Sequence, residues 1–205
     1  MSITLSDIVN RVTRRLKDVD DISSSIWYDI ATDLNQFLYR RIKGIDPERV
    51  ITSATYTVTS SPSSQALPAG FRDIQAIGCG VFYQNSAGQN TDTQLPLTGF
   101  GSTSPGYYFD GTNIVFTGIN TSTVFVLRYV GTLADITAMS GIFCVPDEYK
   151  DLVTEGMVLG YYKYEEDPRE ADADTRFTRL LSDFLETVKK APKVYAPSVV
   201  INANS

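Results

Sequence analysis

The sequence contains no histidine, although it is 205 residues long. Histidine is the commonest general base and the commonest metal ligand in proteins. Its absence argues against a metal site and lowers the expectation of an enzyme. The Gly-x-Ser-x-Gly, phosphate-loop, Rossmann and Cys-x-x-Cys motifs are missing as well. The sequence therefore predicts no catalytic residue, no metal ligand and no cofactor.

Cysteines and long apolar runs are also scarce. The two cysteines, Cys79 and Cys144, each lie among apolar and small residues. This setting is typical of buried thiols in a reducing compartment. No run of about 18 apolar residues occurs, so no membrane-spanning helix is predicted.

Charge is distributed unevenly along the chain, whose formal net charge is −6. An acidic protein is a poor candidate for sequence-independent binding to nucleic acid, because such binding needs basic side chains to replace counterions. Residues 50–144 contain no lysine and no glutamate. Their only charged residues are Arg72, Asp73, Asp92, Asp110, Arg128 and Asp135. This middle segment therefore differs in kind from the segments on either side.

Residues 1–49 contain two predicted helices. Apolar residues recur three and four positions apart over residues 4–19 and again over residues 24–43. Thr4 begins a sequence that resembles a capping box, and Gly44 is placed to end the second helix.

Pairs of arginines lie off the apolar stripes of these helices. Arg14 and Arg15 belong to the first helix, and Arg40 and Arg41 belong to the second. Such residues are typical of a solvated face that matches the helix dipole. Contact with nucleic acid or with an acidic partner is the alternative interpretation.

A second pair of helices is predicted between residues 145 and 191. The first of them runs from Pro146 to Tyr164 and carries Gly156 and Gly160 one turn apart on its apolar stripe. The stripe consists of Tyr149, Leu152, Val153, Gly156, Met157, Gly160, Tyr161 and Tyr164. Glycine inside a helix costs about 1 kcal/mol relative to alanine. Two glycines on one stripe predict that another backbone packs very close to the helix there.

The second helix of this pair is predicted to open at Asp167, with Pro168 at its first position and Glu170 completing a capping box. Its apolar stripe consists of Phe177, Leu180, Leu181, Phe184, Leu185 and Val188. Acidic residues crowd around its start, which is typical of a helix N-terminus. A calcium site is the alternative, although the EF-hand pattern is missing.

From Val50 the periodicity changes to that of β-strands. Strands are predicted over residues 50–59, 74–83, 94–98 and 123–130. The strand at 123–130 is apolar on both faces, which predicts a central position in its sheet. Asp110-Gly111 lies between apolar runs and predicts a hairpin. Residues 60–64 are predicted to form a loop, and residues 85–90 a hairpin tip.

Together these patterns predict an α+β fold. The N-terminal and C-terminal helix pairs, residues 1–49 and 145–191, are expected to pack as a helical bundle. Residues 50–144 are expected to form an inserted antiparallel β module. Residues 192–205 are expected to form an extended C-terminal arm.

This arm combines two prolines with several large apolar residues. The prolines exclude a helix, and the apolar side chains are too numerous for a tail that stays in water. Such an arm is suited to adding a strand to another surface or filling a groove on it, and folding back on its own domain is the alternative. The predicted partner-binding residues of the arm are Val194, Tyr195, Val199, Val200 and Ile201.

Several motifs resemble those of the head-to-tail adaptor, or connector, proteins of tailed bacteriophages. In the N-terminal segment these motifs are Arg14-Arg15-Leu16 with Asp18, Trp27 and Leu34-Asn35. In the C-terminal segment they are Val145-Pro146-Asp147-Glu148-Tyr149, Glu155-Gly156, Tyr161-Tyr162, Glu165-Glu166-Asp167-Pro168 and Arg176-Phe177. Residues 67–73 are similar to the start of that family's β module. The resemblance covers most of the chain.

The resemblance implies a structural virion protein that lies at the head–tail junction and is assembled in the host cytoplasm. Twelve copies would form a ring beneath the portal protein, extend the DNA channel and present a docking surface for the tail or nozzle protein. Genomic DNA would pass through the lumen without sequence-specific binding, and no membrane would be involved. The arm would lodge against the portal, and the helix with Gly156 and Gly160 would pack closely within the subunit or against its neighbour.

A ligand-binding protein is the alternative function. The β module would then hold a small ligand or a glycan in a concave aromatic pocket. The tyrosine run at residues 161–164 is typical of a protein interface, and an aromatic ligand slot is its alternative interpretation. An enzyme would have to work with carboxylates and tyrosines alone.

Overall fold

The structure, a computed structural model, describes residues 2–16, 22–76, 78–85 and 87–190. The chain forms two compact units. The described part of the first lies within residues 2–49 and 133–190 and is called the helical unit. The second, called the β unit, lies within residues 50–132. The predicted α+β class is confirmed.

The secondary structure is as follows. The helices are α1 Leu5–Leu16, α2 Ser24–Ile45, α3 Lys150–Tyr164 and α4 Glu170–Lys190. The strands are β1 Ser2–Thr4, β2 Ile51–Val58, β3 Ser63–Ala66, β4 Phe71–Asp73, β5 Gly80–Gln84, β6 Asn90–Leu95, β7 Gly106–Asp110, β8 Asn113–Thr117, β9 Thr123–Gly131 and β10 Ile142–Pro146.

Helix α3 is the centre of the helical unit. Residues 152–159 are all buried, because α1, α2 and α4 each pack against this helix. The sequence predicts a single buried stripe that reaches Tyr164, and this prediction is wrong. Tyr164 is 56% exposed, whereas residues off the predicted stripe, such as Val158 and Leu159, are buried.

Gly156 and Gly160 make room for large side chains of α2. A β-carbon added to Gly156 would lie 2.6 Å from Leu34 Cδ1 and 3.0 Å from Phe177 Cε2, and one added to Gly160 would meet Ile30 Cγ2. The sequence predicts a neighbouring backbone at these positions. The structure instead places side chains there, which reach the α3 backbone because the glycines have no side chains of their own.

The end of α2 differs from the prediction. The helix does not stop at Gly44 but continues to Ile45, and the N–H of Asp46 bonds to the carbonyl of Ile42 at 2.8 Å. The first helix is predicted to extend to residue 19. Residues 17–21 lie outside the described residues, so the end of this prediction does too.

A buried amide joins α2 to β10. Asn35, which is 1% exposed, accepts a hydrogen bond from the N–H of Cys144 at 2.8 Å and donates one to the carbonyl of Ile142 at 3.4 Å. On its other side β10 pairs with β1 in an antiparallel two-stranded sheet. The sequence did not predict β1, whose three residues are too few for a recognisable period.

The boundary between the units lies earlier in the chain than residue 144. The described residues from Leu133 onward belong to the helical unit. Thr32 Oγ1 accepts a hydrogen bond from the N–H of Ile136 at 2.9 Å, and Gln36 Nε2 donates one to the carbonyl of Leu133 at 2.8 Å. The low charge of this segment matches the strands before it, so composition alone placed it in the β module.

Two antiparallel sheets form the β unit. One has the strand order β2-β9-β5-β6, with β4 also paired to β9, and the other has the order β3-β8-β7. The predicted central position of β9 is confirmed, because it pairs with β2, β4 and β5. The predicted hairpins β5–β6 and β7–β8 are confirmed as well.

Several strand limits in the β unit differ from the predictions. Strand β6 spans Asn90–Leu95, whereas the prediction places it at residues 94–98. Strand β5 begins only at Gly80, after Gly78, and both glycines have positive φ angles, 135° and 84°. Such a backbone interrupts the extended conformation expected from residue 74. Strand β3 begins at Ser63, inside the predicted loop, because its backbone pairs with β8.

Aromatic rings from both sheets form the core of the β unit. The rings of Phe116 on β8 and Phe125 on β9 are stacked with centroids 5.1 Å apart, and Tyr56 lies 5.7 Å from Phe116. Other buried members of this core are Val58, Val81, Leu95, Tyr107, Ile114, Ile119, Leu127 and Tyr129. Because each aromatic side chain buries roughly 150–250 Å², this small unit has a large apolar core.

Gly156→Val is expected to lower the free energy of unfolding by about 1–3 kcal/mol, because the added methyl groups would displace Leu34 and Phe177. Urea unfolding monitored by circular dichroism measures the change. Gly44→Ala is the matched control, since an added β-carbon there would meet nothing within 4 Å. Alanine at this helical position is expected to raise the free energy by about 0.5 kcal/mol. Unchanged stability of Gly156→Val would contradict the close packing.

Asn35→Leu is expected to lower the free energy of unfolding by about 1–3 kcal/mol, because it leaves the N–H of Cys144 buried without a partner. Amide hydrogen exchange at Cys144 should accelerate in the same variant. Gln36→Leu, which removes a bond in a less buried place, should have the smaller effect. If the Cys144 amide stays protected in Asn35→Leu, this side chain does not hold the strand.

Candidate partner-binding surfaces

Glu155 carries the one charged side chain among the buried residues of the described structure. Each of its two carboxylate oxygens accepts a hydrogen bond from an arginine. Arg15 of α1 donates through Nη1 to Oε1, and Arg176 of α4 donates through Nε to Oε2 at 3.2 Å. A buried carboxylate is costly unless it is paired and hydrogen-bonded. The cluster therefore joins α1, α3 and α4 around a group that needs both partners.

Both arginines of this cluster also reach the solvent. The side chains of Arg15 and Arg176 are 42% and 45% exposed. Each guanidinium has five N–H donors, and the carboxylate occupies only some of them. Arg14 precedes Arg15 in α1, and Arg179 follows Arg176 by three residues in α4; both are exposed, and neither has an ion-pair partner among the described residues. These four arginines are called the arginine surface.

A second ion pair lies one turn away and is far more exposed. Arg11 contacts Asp151 at 3.1 Å, and their side chains are 48% and 84% exposed. Since α1 and α3 run side by side, the pairs Arg11–Asp151 and Arg15–Glu155 repeat at the same spacing of four residues. Exposed pairs of this kind contribute about 0–1 kcal/mol.

The turn between α3 and α4 is closed by backbone hydrogen bonds. The N–H of Asp167 bonds to the carbonyl of Tyr162 at 2.9 Å, and the N–H of Glu166 bonds to that of Lys163 at 3.4 Å. Glu166 has a φ of 53°, in the left-handed region. These are the bonds of a Schellman motif, here without its usual glycine.

This turn explains why the predicted capping box does not form. The N–H of Asp167, which Glu170 would have to cap, is already bonded to the carbonyl of Tyr162. The side chain of Asp167 instead accepts from the backbone N–H of Arg169 at 2.8 Å and from its guanidinium Nη2 at 2.6 Å. The guanidinium also lies 4.8 Å above the ring of Tyr162.

The pair lowers the pKa of Asp167 below its ordinary value of 3.8, chiefly through the side-chain hydrogen bond from Arg169. A carboxyl group with a lowered pKa stabilises the fold at pH values above its unfolded pKa. That contribution is lost as the pH falls through the lowered value. The Asp167–Arg169 pair therefore contributes to the stability of the fold at neutral pH.

Carboxylates on this turn and in the first turns of α4 face the solvent. Glu165, Glu166, Asp172 and Asp174 are exposed and have no ion-pair partner among the described residues. These four residues are called the acidic turn. Within residues 2–190 as described, no group of three or more histidines, cysteines and acidic residues is placed to hold a metal ion. The acidic turn thus presents unpaired negative charge.

The other arginine pair lies toward the end of α2. Arg41 is exposed, and its guanidinium lies 5.1 Å from the ring centroid of Phe37. That ring in turn lies 6.1 Å from Phe177. Arg40 is exposed and has no ion-pair partner in the described part of the chain.

Two large apolar side chains of the β unit are exposed on the connection between β6 and β7. Leu97 is 63% exposed and Phe100 is 86% exposed. The ring of Phe100 meets Tyr108 edge to face at 5.6 Å. No charged residue occurs between Asp92 and Asp110. The sequence did not single out this patch, since one apolar residue between glycines gives no period.

The cysteines and tyrosines occupy the structure in different ways. Cys79 and Cys144 are buried, as the sequence predicts, and burial raises the pKa of the Cys144 thiol to about 12. Tyr161 stacks on Trp27 with centroids 6.0 Å apart, and Tyr162 is buried. The tyrosine run therefore belongs mainly to the packing of α2 against α3.

The C-terminal arm at residues 192–205, including Val194, Tyr195, Val199, Val200 and Ile201, lies outside the described residues. Among the helices that the structure describes, none combines the length and the apolar character that crossing a membrane requires.

A family-level comparison accounts for these features. The family described as SU10 adaptor protein matches residues 3–200 of the 205-residue chain. The chain belongs to the SU10 adaptor protein family. The predicted resemblance to phage head-to-tail adaptors is thereby confirmed, and the adaptor is a structural protein of the phage virion that associates with other head and tail proteins. A search of curated proteins finds no match.

One signal for the Glu155 cluster is present in the sequence. Glu155 and Arg176 are both part of the motifs that resemble the adaptor family, but spacing alone does not pair them. A glutamate inside the apolar run of residues 152–159 is unfavourable unless a cation meets it. The partners, Arg15 and Arg176, lie 140 and 21 residues away and become neighbours only in the folded chain.

Glu155→Gln is expected to lower the free energy of unfolding by about 1–2 kcal/mol, because two half-exposed arginines lose their shared carboxylate. Asp151→Asn removes the carboxylate of the exposed pair one turn away and should change the free energy by less than about 0.5 kcal/mol. Urea unfolding of both variants measures the difference. Equal effects in the two variants would contradict a special role for Glu155.

Proposed function

We propose that this adaptor forms a ring of twelve copies that joins the capsid portal to the tail or tail nozzle and continues the DNA channel. The family match over residues 3–200 carries the proposal. Head-to-tail contacts between identical subunits generate closed rings when the rotation between neighbours closes. Assembly takes place in the host cytoplasm before the finished particle is released.

The negative net charge of the chain favours a channel through which DNA moves without binding. Every copy adds a formal net charge of −6. An acidic lumen repels the phosphate backbone, so that the genome slides through the ring without sequence-specific binding.

The composition of the β unit favours permanent contact with other subunits. Residues 50–132 contain no lysine and no glutamate. The exposed side chains of Leu97 and Phe100 add an apolar contact surface. Charged residues are depleted and aromatic residues are enriched in the cores of protein interfaces.

The sequence of the C-terminal arm favours a contact between the arm and the portal. Residues 194–205 carry no charged side chain, and Val199, Val200 and Ile201 form an apolar run. Fourteen extended residues reach about 45 Å, which is enough to lie along a groove of a second protein. The arm binds the portal through this run and through Val194 and Tyr195.

The substitutions V199S, V200S and I201S made together are expected to abolish retention of the adaptor on its portal ring, because each removes apolar area from the contact. Co-expression of adaptor and tagged portal, followed by affinity capture, measures the retention. The variant N202S/N204S is the matched control and should be retained like the parent chain. Retention of the triple variant at the parent level would refute the role of the arm.

The location in the virion has a direct test. Cryo-microscopy of the parent virion should show this adaptor as a twelve-fold ring between portal and tail. Density for the chain at another site, or a different symmetry at this site, would contradict the corresponding part of the proposal.

A further inference from the structure

We propose that the free edge of strand β2 binds the C-terminal arm of the same chain as an added strand until the portal takes the arm. The basis is an edge of β2 that has no strand partner in the described part of the chain. The release of the arm rests on the portal contact proposed above. The docking itself rests only on β2, on the sequence of the arm and on the place where the arm begins.

The backbone of β2 faces β9 on one side and is unpaired on the other. The strand pairs with β9 over its full length without a bulge, and it has no second strand partner among the described residues. Gln65 of β3 donates through Nε2 to the carbonyl of Thr57 at 3.0 Å, on the side away from β9. Backbone groups of successive residues in an antiparallel pair point alternately to the two sides. The N–H and C=O groups of Ser53 and Thr55 therefore point to the free side as well.

The far side of β9 gives the same assignment. The N–H of Thr132, just after β9, bonds to the carbonyl of Gly70 at 2.8 Å, just before β4. Even-numbered residues of β9 thus direct their backbone groups toward β4 and β5, and odd-numbered ones toward β2. The β2 partners of the odd-numbered residues are Thr52, Ala54 and Tyr56. The residues between these three face the free edge.

The other edges of the two sheets carry features that prevent further pairing. Strand β6 includes the charged Asp92, and Thr91 Oγ1 accepts from the N–H of Thr93 at 3.3 Å. Strand β7 is covered by the chain before it, since the N–H of Tyr107 bonds to the carbonyl of Pro96 at 3.1 Å. Strands β3 and β4 have only four and three residues. Strand β2 has eight residues without charge, proline or bulge, and natural proteins cover such an edge.

The sequence of the arm fits this edge. Ala54 packs against the core of the β unit but is only partly buried, so the core reaches the open edge. Alternate residues of an added strand lie on the same face of the sheet. Val199 and Ile201 can therefore extend the core beside Ala54, while Ser198 and Asn202 face the solvent. The run from Ser198 to Asn202 is uncharged, and its three central residues are β-branched, which favours a strand.

The direction of α2 decides where the chain enters β2. Ile30 lies at Gly160 of α3, and Leu34 lies at Gly156, so that α2 and α3 run in opposite directions. The last turn of α2 consequently lies near the start of α3. From this end the chain passes into β2 through residues 46–50.

Helix α4 ends at the same end of the helical unit. The ring of Phe184 meets that of Tyr149, just before α3, with centroids 4.5 Å apart. The arm and the start of β2 therefore leave the helical unit from one end. Residues 191–197 span up to roughly 24 Å when extended, which gives the run after them its reach.

Strand β2 of a second copy is the competing occupant of the edge. Such a contact is isologous and closes a dimer, which does not continue into a ring. The arm is attached to the same chain, and a short tether gives it a high effective concentration at the edge. The arm also gains main-chain hydrogen bonds and cover for its apolar side chains. The arm of the same chain is therefore the favoured occupant.

Two prolines in the arm test the docking. V199P/V200P removes two successive N–H groups, one of which faces β2 in any register. Amide exchange at Ser53 and Thr55, followed by NMR in the free chain, is expected to be at least roughly tenfold faster in this variant than in the parent. N204P/S205P carries the same change beyond the run and should exchange like the parent chain.

A substitution in β2 gives the reciprocal test. T55P removes an N–H that points to the free edge, where proline is tolerated because no ladder bond is lost. The amide of Val200 is expected to lose its protection in T55P. Thermal unfolding establishes whether T55P is folded, and V199P/V200P decides alone if it is not.

The outcomes in the free chain are distinct. Fast exchange of Ser53 and Thr55 in the parent chain, or unchanged exchange in V199P/V200P, overturns the docking. Protection that persists in V199P/V200P and grows with protein concentration assigns the edge to a second copy, which also overturns it.

Portal rings separate the docking from the proposed function. Their addition is expected to accelerate exchange over residues 51–58, measured by mass spectrometry, because the portal takes the arm. Capture of the adaptor by the portal with β2 still protected overturns the release. If the portal does not capture the parent chain at all, the proposed function fails while the docking stands on the free-chain results.

Discussion

The helical unit depends on one constraint, which is that α3 has no side left for water over residues 152–159. A helix of this kind needs partners all around it, and α1, α2 and α4 supply them. Close approach is possible because Gly156 and Gly160 leave space for Leu34 and Ile30. Glu155 is the exception in this apolar helix, and its burial obliges arginines of two other helices to meet it.

That same constraint connects the fold to the work of an adaptor. A buried carboxylate fixes Arg15 and Arg176 on the inside, while their outer donors stay at the surface. The acidic turn is fixed by its own backbone bonds. The helical unit holds most of the charged side chains of the described structure, and the β unit has few. The division of the chain into two units thus separates a charged part of the protein from a charge-poor one.

Much of the fold follows from local patterns. The four long helices, the central position of β9, the two hairpins and the buried cysteines were all predictable, because helical and extended periods and turn signals are short-range properties. Three errors had tertiary causes. The apolar period predicts one narrow stripe on α3, whereas three helices surround α3. The motif at Asp167 predicts a capping box, whereas the N–H of Asp167 bonds to the carbonyl of Tyr162. Composition groups residues 133–144 with the strands, whereas Asn35, Thr32 and Gln36 form hydrogen bonds with them.

By itself the sequence determined most of the elements, the class of fold and the family, because periodicity, composition and short motifs are local properties of the chain. The tertiary structure alone decided which charges are paired and which remain available at the surface. Arg15 and Arg176 are far from Glu155 in sequence, and no local rule distinguishes them from Arg14 or Arg179. Only the packing of α1 and α4 around α3 sorts these arginines, because an ion pair depends on distance in space and on the burial of the carboxylate that it neutralises.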